Sequence, residues 1–296
     1  MEYENLEGKK ERVSGGGVCI YCGCDGNENR LSSEHTMPYS LGGSTELLEA
    51  SCSRCGAETS YLDGYMANSV FGHFRVHLGL KSRSGHPEVL PVTVGLPEGQ
   101  KVVDLRPEEH PYFLNMPIWD PPGLLLERVK ITDGFSNQRT DVFWHVPDSI
   151  RKTLGLSDKV KGEIINNIRP ANLSTFARGI TKIAYCTAII KYGLDGFRPL
   201  FTPQIILGQY PHIPYFVGPL PSPHGPPAPR GQRHVVEFGT LTYQRLKLMY
   251  ANVRLFADSS APQSGMPRYQ VIYGIEGKRK IVPKRALPDS RRSILQ

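Results

Sequence analysis

The chain has 296 residues, of which 39% are hydrophobic and 21% are charged, a globular composition with room for two ordinary domains. Its net charge of +7 favours an acidic partner over a basic one. The acidic amino terminus lacks the apolar core of a secretory signal, and no aliphatic stretch approaches the roughly 20 residues that cross a bilayer. The composition therefore excludes a disordered chain and predicts a soluble, cytoplasmic protein without a membrane segment.

Residues 1–14 are charged, and we expect them to form a frayed lead-in. Four of the six cysteines follow in two Cys-x-x-Cys pairs, Cys19 with Cys22 and Cys52 with Cys55. A tight turn directs two thiolates with this spacing to one side, and two such turns complete a tetrahedral zinc site. The spacing therefore predicts structural Zn²⁺ rather than four ordinary buried thiols. Cys24 competes with Cys22 for the site, and Cys186 is expected in the core.

Apolar residues recur at four-residue spacing after Ala57, which predicts a helix that closes an amino-terminal unit of residues 1–80. Residues 81–126 are rich in proline and are expected to form a connector with one strand at residues 101–105. This connector separates the amino-terminal unit from a second body.

The second body, residues 127–296, is expected to be α+β, which makes the whole chain α+β. Its strongest helix is predicted to begin with Ser174 as N-cap and to end at Tyr192, before Gly193. Strands are expected at 129–131, 142–144, 234–238, 246–255 and 269–273, the last three antiparallel, and a short helix at 148–154. Eight prolines between Pro211 and Pro229 predict a loop without regular structure. This body shows no catalytic motif, and we expect it to bind the target.

Between the cysteine pairs, the chain carries Glu34-His35, then Pro38, Gly42-Gly43 and Ala50-Ser51-Cys52. This pattern resembles the HNH endonuclease family, and the flanking cysteine pairs match its zinc-containing branch. The resemblance is specific over residues 19–56 and weaker to residue 80. It implies a ββα-metal module, a β-hairpin followed by a helix, that holds one catalytic Mg²⁺ or Mn²⁺ and hydrolyses phosphodiester bonds of DNA.

The resemblance also implies roles for two residues. His35 matches the general base that deprotonates a water for in-line attack on phosphorus. Glu34 matches the acidic ligand of the catalytic metal, which is often Asp in relatives. Two other interpretations stay open: His35 could merely neighbour the zinc site, and Glu34 could be a solvated carboxylate on a strand.

The sequence departs from the family pattern at two positions. Zinc-containing relatives place an Asn or His directly after the last cysteine to complete the metal site, whereas this chain has Gly56. The middle Asn that orients the base in many relatives falls near Glu46 or Leu47. Substitutes for the missing metal ligand are expected among Glu58 and Asp63, with His73 behind them. Each of the three could equally be a solvated charge on the face of the helix.

Basic residues after the predicted helix complete the expected nuclease site. Arg75 and Arg83, with Lys81, are predicted to contact flanking phosphates, or to form an ordinary charged helix end. The basic last twenty residues would bind nucleic acid without sequence preference or only solubilise a tail.

Three functions are compatible with these features. The first is a DNA endonuclease of the HNH type, and the second is a catalytically degenerate, zinc-containing nucleic-acid-binding protein. The third is an unrelated zinc ribbon that contacts other proteins. A histidine beside a carboxylate favours the first over the third, since a structural ribbon needs neither, whereas Gly56 keeps the second open.

Overall fold

The computed structural model describes residues 2–5, 11–26, 30–80, 85, 88–96, 99–126, 134–148, 171–225, 228, 231–258 and 265–277. Helices and strands are mixed throughout these ranges, so the predicted α+β class is confirmed. No helix among the described residues is long and apolar enough to cross a membrane.

The amino-terminal unit is a three-stranded sheet followed by a helix. Its strands are β2 (Arg12–Ser14), β3 (Ser32–His35) and β4 (Glu46–Ser51), in the order β2-β4-β3. Strands β3 and β4 are antiparallel and form the expected hairpin. The helix predicted after Ala57 begins earlier and has three segments: α1 (Ser53–Gly64), a π-helical segment (Tyr65–Val70) and α2 (Gly72–His77).

A six-stranded sheet forms the centre of the second body. Its strands are β1 (Glu2–Asn5), β9 (Phe197–Pro199), β10 (Val217–Pro219), β11 (Val235–Tyr243), β12 (Leu246–Arg254) and β13 (Arg268–Glu276). The order is β1-β11-β12-β13-β10, with β9 also paired to β13. The three antiparallel strands predicted near the end of the chain are therefore confirmed. The expected frayed lead-in is wrong, because β1 is an edge strand that pairs with β11.

Helix α3 (Leu173–Tyr192) lies between the large sheet and α1. Its N-cap is Asn172, two residues before the predicted cap, because the Asn172 side chain accepts a hydrogen bond from the backbone N–H of Thr175 at 2.9 Å. The helix ends at Tyr192, before Gly193, as predicted. The Tyr185 hydroxyl donates to the Ile20 carbonyl at 2.8 Å, and one cluster of buried apolar side chains includes residues of both bodies. The division at residues 80 and 126 stays a prediction.

Two further hairpins pair β5 (Leu90–Leu96) with β6 (Gly99–Leu105) and β7 (Tyr112–Ile118) with β8 (Arg139–His145), and a short helix spans Thr202–Ile206. The strands expected at residues 101–105 and 142–144 are parts of β6 and β8. The strand expected at 129–131, the basic tail and all but the first residue of the helix expected at 148–154 lie outside the described residues.

The proline-rich stretch contains regular structure, so the prediction of an irregular loop there is wrong. A short helix spans Ile213–Phe216, and strand β10 follows it directly. Pro214 lies in the first turn of the helix, where no backbone N–H is needed. Pro219 ends β10 at the edge of the sheet, where a missing donor is tolerated.

Candidate functional site

The two Cys-x-x-Cys pairs converge on one point. The four sulfurs of Cys19, Cys22, Cys52 and Cys55, hereafter the cysteine cluster, all lie within 4.8 Å of one another. The Cys22 and Cys52 sulfurs are 3.8 Å apart, the separation that Zn–S bonds near 2.3 Å require in a tetrahedron. The predicted cluster is therefore confirmed as a group positioned for zinc.

Local geometry explains how the cysteines meet. The first pair lies in a tight turn in which the Gly23 N–H donates to the Cys19 carbonyl at 2.8 Å. Cys52 is the N-cap of α1, and Cys55 lies in its first turn. The turn and the helix start thus present two sulfurs each to the same point.

The electrostatics of the cysteine cluster call for a cation. Hydrogen bonds with the Cys19 and Cys55 thiols lower the pKa of Cys22 to about 3, whereas hydrogen bonds with Cys19 and Cys22 raise the pKa of Cys55. Four thiolates this close would repel one another, and a bound zinc ion would offset their charge. Cys24 is outside the cluster. Cys186 is buried in α3 as expected, with its sulfur 3.3 Å from the Tyr21 hydroxyl.

A groove of about 550 Å³ lies between β3 and the helical segments, and we call it the α1 groove. Six serines contribute hydroxyls to its walls: Ser32, Ser33, Ser40, Ser51, Ser53 and Ser60. Its acidic, basic and imidazole side chains are Glu34 and His35 from β3, Asp63 from α1 and Arg75 from α2. Four of the residues singled out from the sequence for chemistry therefore line one polar groove.

The wall of the α1 groove explains the glycine after the last cysteine. A Cβ atom at Gly56 would lie 3.0 Å from the Ser51 hydroxyl oxygen and 3.6 Å from that of Ser32. The two serine oxygens are 3.3 Å apart. A Cβ at position 56 would push the Ser51 hydroxyl back by a few tenths of an ångström, whereas the glycine fits the groove as it is built.

His35 has a carboxylate beside it that sequence reasoning did not assign. Residues His35 and Glu46 are opposite each other in the β3–β4 ladder, and Nε2 of His35 is 3.7 Å from Oε1 of Glu46. The other Glu46 oxygen accepts a hydrogen bond from Arg12 Nε at 3.2 Å. Glu46 thus occupies the neighbourhood where the family's middle Asn was sought. The feature of the sequence that could have identified Glu46 is its place opposite His35 in the predicted hairpin.

Glu34 is a buried member of an ion-pair network rather than a solvated strand carboxylate. Its side chain is 5% exposed, with Oε1 at 2.8 Å from Nζ of Lys182. Its Oε2 accepts a hydrogen bond from the Thr59 hydroxyl at 2.9 Å. Nζ of Lys182 also lies 2.6 Å from Oδ1 of Asp63. The sequence analysis assigned no role to Lys182, a lysine within the apolar face of a helix.

The three residues expected to substitute for the missing metal ligand differ in whether they line the α1 groove. Asp63 lines the α1 groove, and burial raises its pKa although the Lys182 ammonium opposes that shift. Glu58 does not line the groove, because its carboxylate pairs with Arg178 at 3.2 Å. It is five residues before Asp63, about 140° around an ideal helix. His73 packs against the His110 ring at a centroid distance of 5.1 Å, also outside the groove. The structure therefore corrects the placement expected for Glu58 and His73.

Arg75 lines the α1 groove. Its Nη2 donates to the Asn68 side chain at 3.0 Å, while Nε and Nη1 are buried without a hydrogen-bond partner among the described residues. Burial lowers the pKa of this guanidinium. Buried donors normally have partners, which makes these two nitrogens unusual. Arg83 and Lys81, the other predicted phosphate contacts, lie outside the described residues.

Comparisons with known proteins agree with the geometry of the cysteine cluster and the groove. Residues 19–69 match a family model described as HNH endonuclease. The comparison with curated proteins gave no match, and neither did the comparison with solved structures. The matched segment contains all four cysteines of the cluster and both Glu34 and His35. Over residues 19–69 the chain therefore matches the HNH endonuclease family, and the resemblance predicted from the sequence is confirmed for that segment.

Proposed function

We propose that the protein is a metal-dependent endonuclease that hydrolyses phosphodiester bonds of DNA in the α1 groove. The observation that carries this proposal is the convergence of His35, Glu34 and Asp63 on one groove beside the cysteine cluster. All three residues lie in the segment that matches a nuclease family. A zinc ribbon that only contacts proteins would need none of them.

His35 is the general base in this proposal. Its imidazole accepts a proton from a water molecule, whose oxygen bonds to phosphorus as the bond from phosphorus to the 3′-oxygen breaks. The leaving oxygen takes a proton from solvent, so the products are a 5′-phosphate and a 3′-hydroxyl. The Glu46 carboxylate, 3.7 Å from Nε2, orients the ring and stabilises the imidazolium that forms.

Glu34 and Asp63 are the proposed ligands of the catalytic ion. Among the described residues, the cysteine cluster is the only group of three or more His, Cys, Asp or Glu side chains with metal-binding spacing. Two carboxylates suffice for Mg²⁺ or Mn²⁺, since such ions commonly bind one or two carboxylates together with substrate phosphate. The ion would neutralise charge on the phosphate and on the leaving 3′-oxygen. Each Glu34 oxygen has a second lone pair beyond its contact with Lys182 or Thr59.

Metal-dependent nicking of a supercoiled plasmid tests this function. We expect the zinc-loaded protein to nick DNA with Mg²⁺ or Mn²⁺ and Asp63→Asn to be about 100-fold slower, because a ligand of the ion is lost. Glu58→Gln is the matched control, since it removes a carboxylate from the same helix outside the groove. Equal losses in both variants, or full activity in Asp63→Asn, would contradict the assignment of Asp63.

Arg75 is proposed to bind the phosphate, because its side chain lines the α1 groove and two of its guanidinium nitrogens lack a hydrogen-bond partner among the described residues. We expect Arg75→Met to raise KM for DNA about tenfold and to change kcat little, because a positioning contact with phosphate is lost. When KM is measured at a series of salt concentrations, the slope of log KM against log salt concentration should be about one unit smaller in the variant. An unchanged slope would argue that Arg75 has no phosphate contact.

One observation favours a second function, a zinc-containing protein that binds nucleic acid without cutting it. Gly56 offers no ligand, and both Glu34 oxygens already have partners within the protein. This alternative predicts that the wild type binds DNA in a gel-shift assay yet cuts neither DNA nor RNA with any divalent ion. Nicking by the wild type that is lost in Asp63→Asn would exclude it.

A further inference from the structure

Lys182 is an unusual residue for the middle of a buried helix. Within α3, which the structure describes in full, it is the only charged residue at a buried position. Its side chain is completely buried, and its Nζ lies between carboxylates from β3 and α1, at 2.8 Å from Glu34 and 2.6 Å from Asp63. Three separate elements therefore meet at one ammonium group.

Stability alone does not account for this lysine. Removing an ammonium group from water is costly, and an apolar side chain of similar volume often stabilises a core as well or better. The Lys182 side chain instead pairs with one carboxylate from each of two other elements, at 2.8 Å from Glu34 and 2.6 Å from Asp63.

The contacts of Lys182 fix the two carboxylates that line the α1 groove. Without its charge, Glu34 and Asp63 would repel each other across the interface between β3 and α1. The Thr59 hydroxyl holds the second oxygen of Glu34, so both oxygens of this side chain have a defined place. One lysine and two carboxylates leave a net charge of −1, which still attracts a divalent ion.

We propose that Lys182 is a positioning residue of the α1 groove, whose ammonium holds Glu34 and Asp63 in the arrangement that the catalytic ion requires. It acts through these carboxylates, because a fully buried side chain does not reach DNA. The site is then complete only when α3 is packed against α1. This inference rests on the proposed nuclease function and assigns to it a residue far outside the matched segment.

Lys182→Met and Lys182→Arg test the proposal in the full-length, zinc-loaded protein. We expect Lys182→Met to lower kcat for plasmid nicking about 10- to 100-fold, since small displacements of catalytic groups have effects of this size, with KM for DNA nearly unchanged. Lys182→Arg, which keeps the charge, should recover part of the loss. Lys247→Met is the matched control, because Lys247 forms an exposed pair with Glu276 at 2.9 Å.

Thermal unfolding gives a second measurement that needs no activity. If Lys182 holds the two carboxylates in the arrangement that the ion requires, added Mg²⁺ should raise the Tm of the wild type and of Lys247→Met more than that of Lys182→Met. Zinc is kept constant in all samples, so the cysteine cluster contributes equally. An equal or larger Mg²⁺ effect on Lys182→Met, which would mean that the ammonium competes with the ion, would overturn the proposal.

The outcomes separate this proposal from the proposed function. A wild type without activity refutes the nuclease, while the Mg²⁺ effect on Tm still decides the role of Lys182. An active wild type together with full kcat in Lys182→Met refutes only the positioning role. If Lys182→Met does not fold, the double variant that adds Glu34→Gln should fold, since it removes an isolated buried charge. Failure of both variants to fold would make Lys182 a structural residue and overturn the proposal.

Discussion

Replacing Cys55 with serine is expected to release zinc and to unfold the amino-terminal unit. A structural zinc site contributes about 10 to 16 kcal/mol of apparent binding energy in small zinc modules, comparable to the roughly 5 to 15 kcal/mol that stabilises a whole domain. Serine offers a poor zinc ligand, and Cys55 is fully buried in the first turn of α1. Zinc content by elemental analysis and thermal unfolding by circular dichroism would measure both effects.

Cys24→Ser is the control for this experiment. It makes the same chemical change close to the cysteine cluster, at a cysteine that is not one of its four members. We expect this variant to keep one equivalent of zinc and to unfold near the wild-type temperature. Loss of zinc from Cys24→Ser with retention in Cys55→Ser would show that the four ligands have been assigned incorrectly.

His35→Ala is expected to lower the rate of plasmid nicking about 10²- to 10⁴-fold, the range that a general base contributes. Binding of DNA and the melting temperature should change little, because the side chain lies at the groove rather than in the core. His145→Ala serves as the matched control, since His145 is exposed at the end of β8. Nicking assays, with DNA affinity measured separately by gel shift, would distinguish a catalytic loss from a binding loss.

Retention of nicking in His35→Ala would remove the general base from the proposed mechanism. If His35→Ala and His145→Ala lost activity equally, the effect would come from the fold or from histidine loss in general. A catalytic role therefore requires a loss confined to His35→Ala.

The parts of the site that could be predicted from the sequence depend on short-range spacing. Two Cys-x-x-Cys pairs fix their own geometry, because a turn and a helix start direct each pair of sulfurs. The closeness of Glu34 and His35 to the following helix likewise depends on local structure, because a single hairpin leads from these residues to that helix. The resemblance carried by these residues was therefore enough to indicate the cluster and the groove.

The parts that could not be predicted depend on contacts between distant segments. Lys182 contacts Asp63 across 119 positions of the sequence, and no local pattern distinguishes it from a lysine that caps an apolar helix face. Glu58 and Asp63 were both expected as substitute ligands, yet the Glu58 carboxylate pairs with Arg178 of α3. Packing between distant segments thus separates two acidic residues that local sequence does not distinguish.

The pairing of β1 with β11 has a consequence for synthesis of the chain. Asn5 lies opposite Val235, a separation of 230 residues. At the usual speed of translation, β1 leaves the ribosome on the order of 10 to 50 s before its partner. The pairing of β2 with β4 and the cysteine cluster, complete once Cys55 has emerged, can therefore form long before β1 finds its partner. Until β11 emerges, the backbone of β1 is open to pairing with other chains.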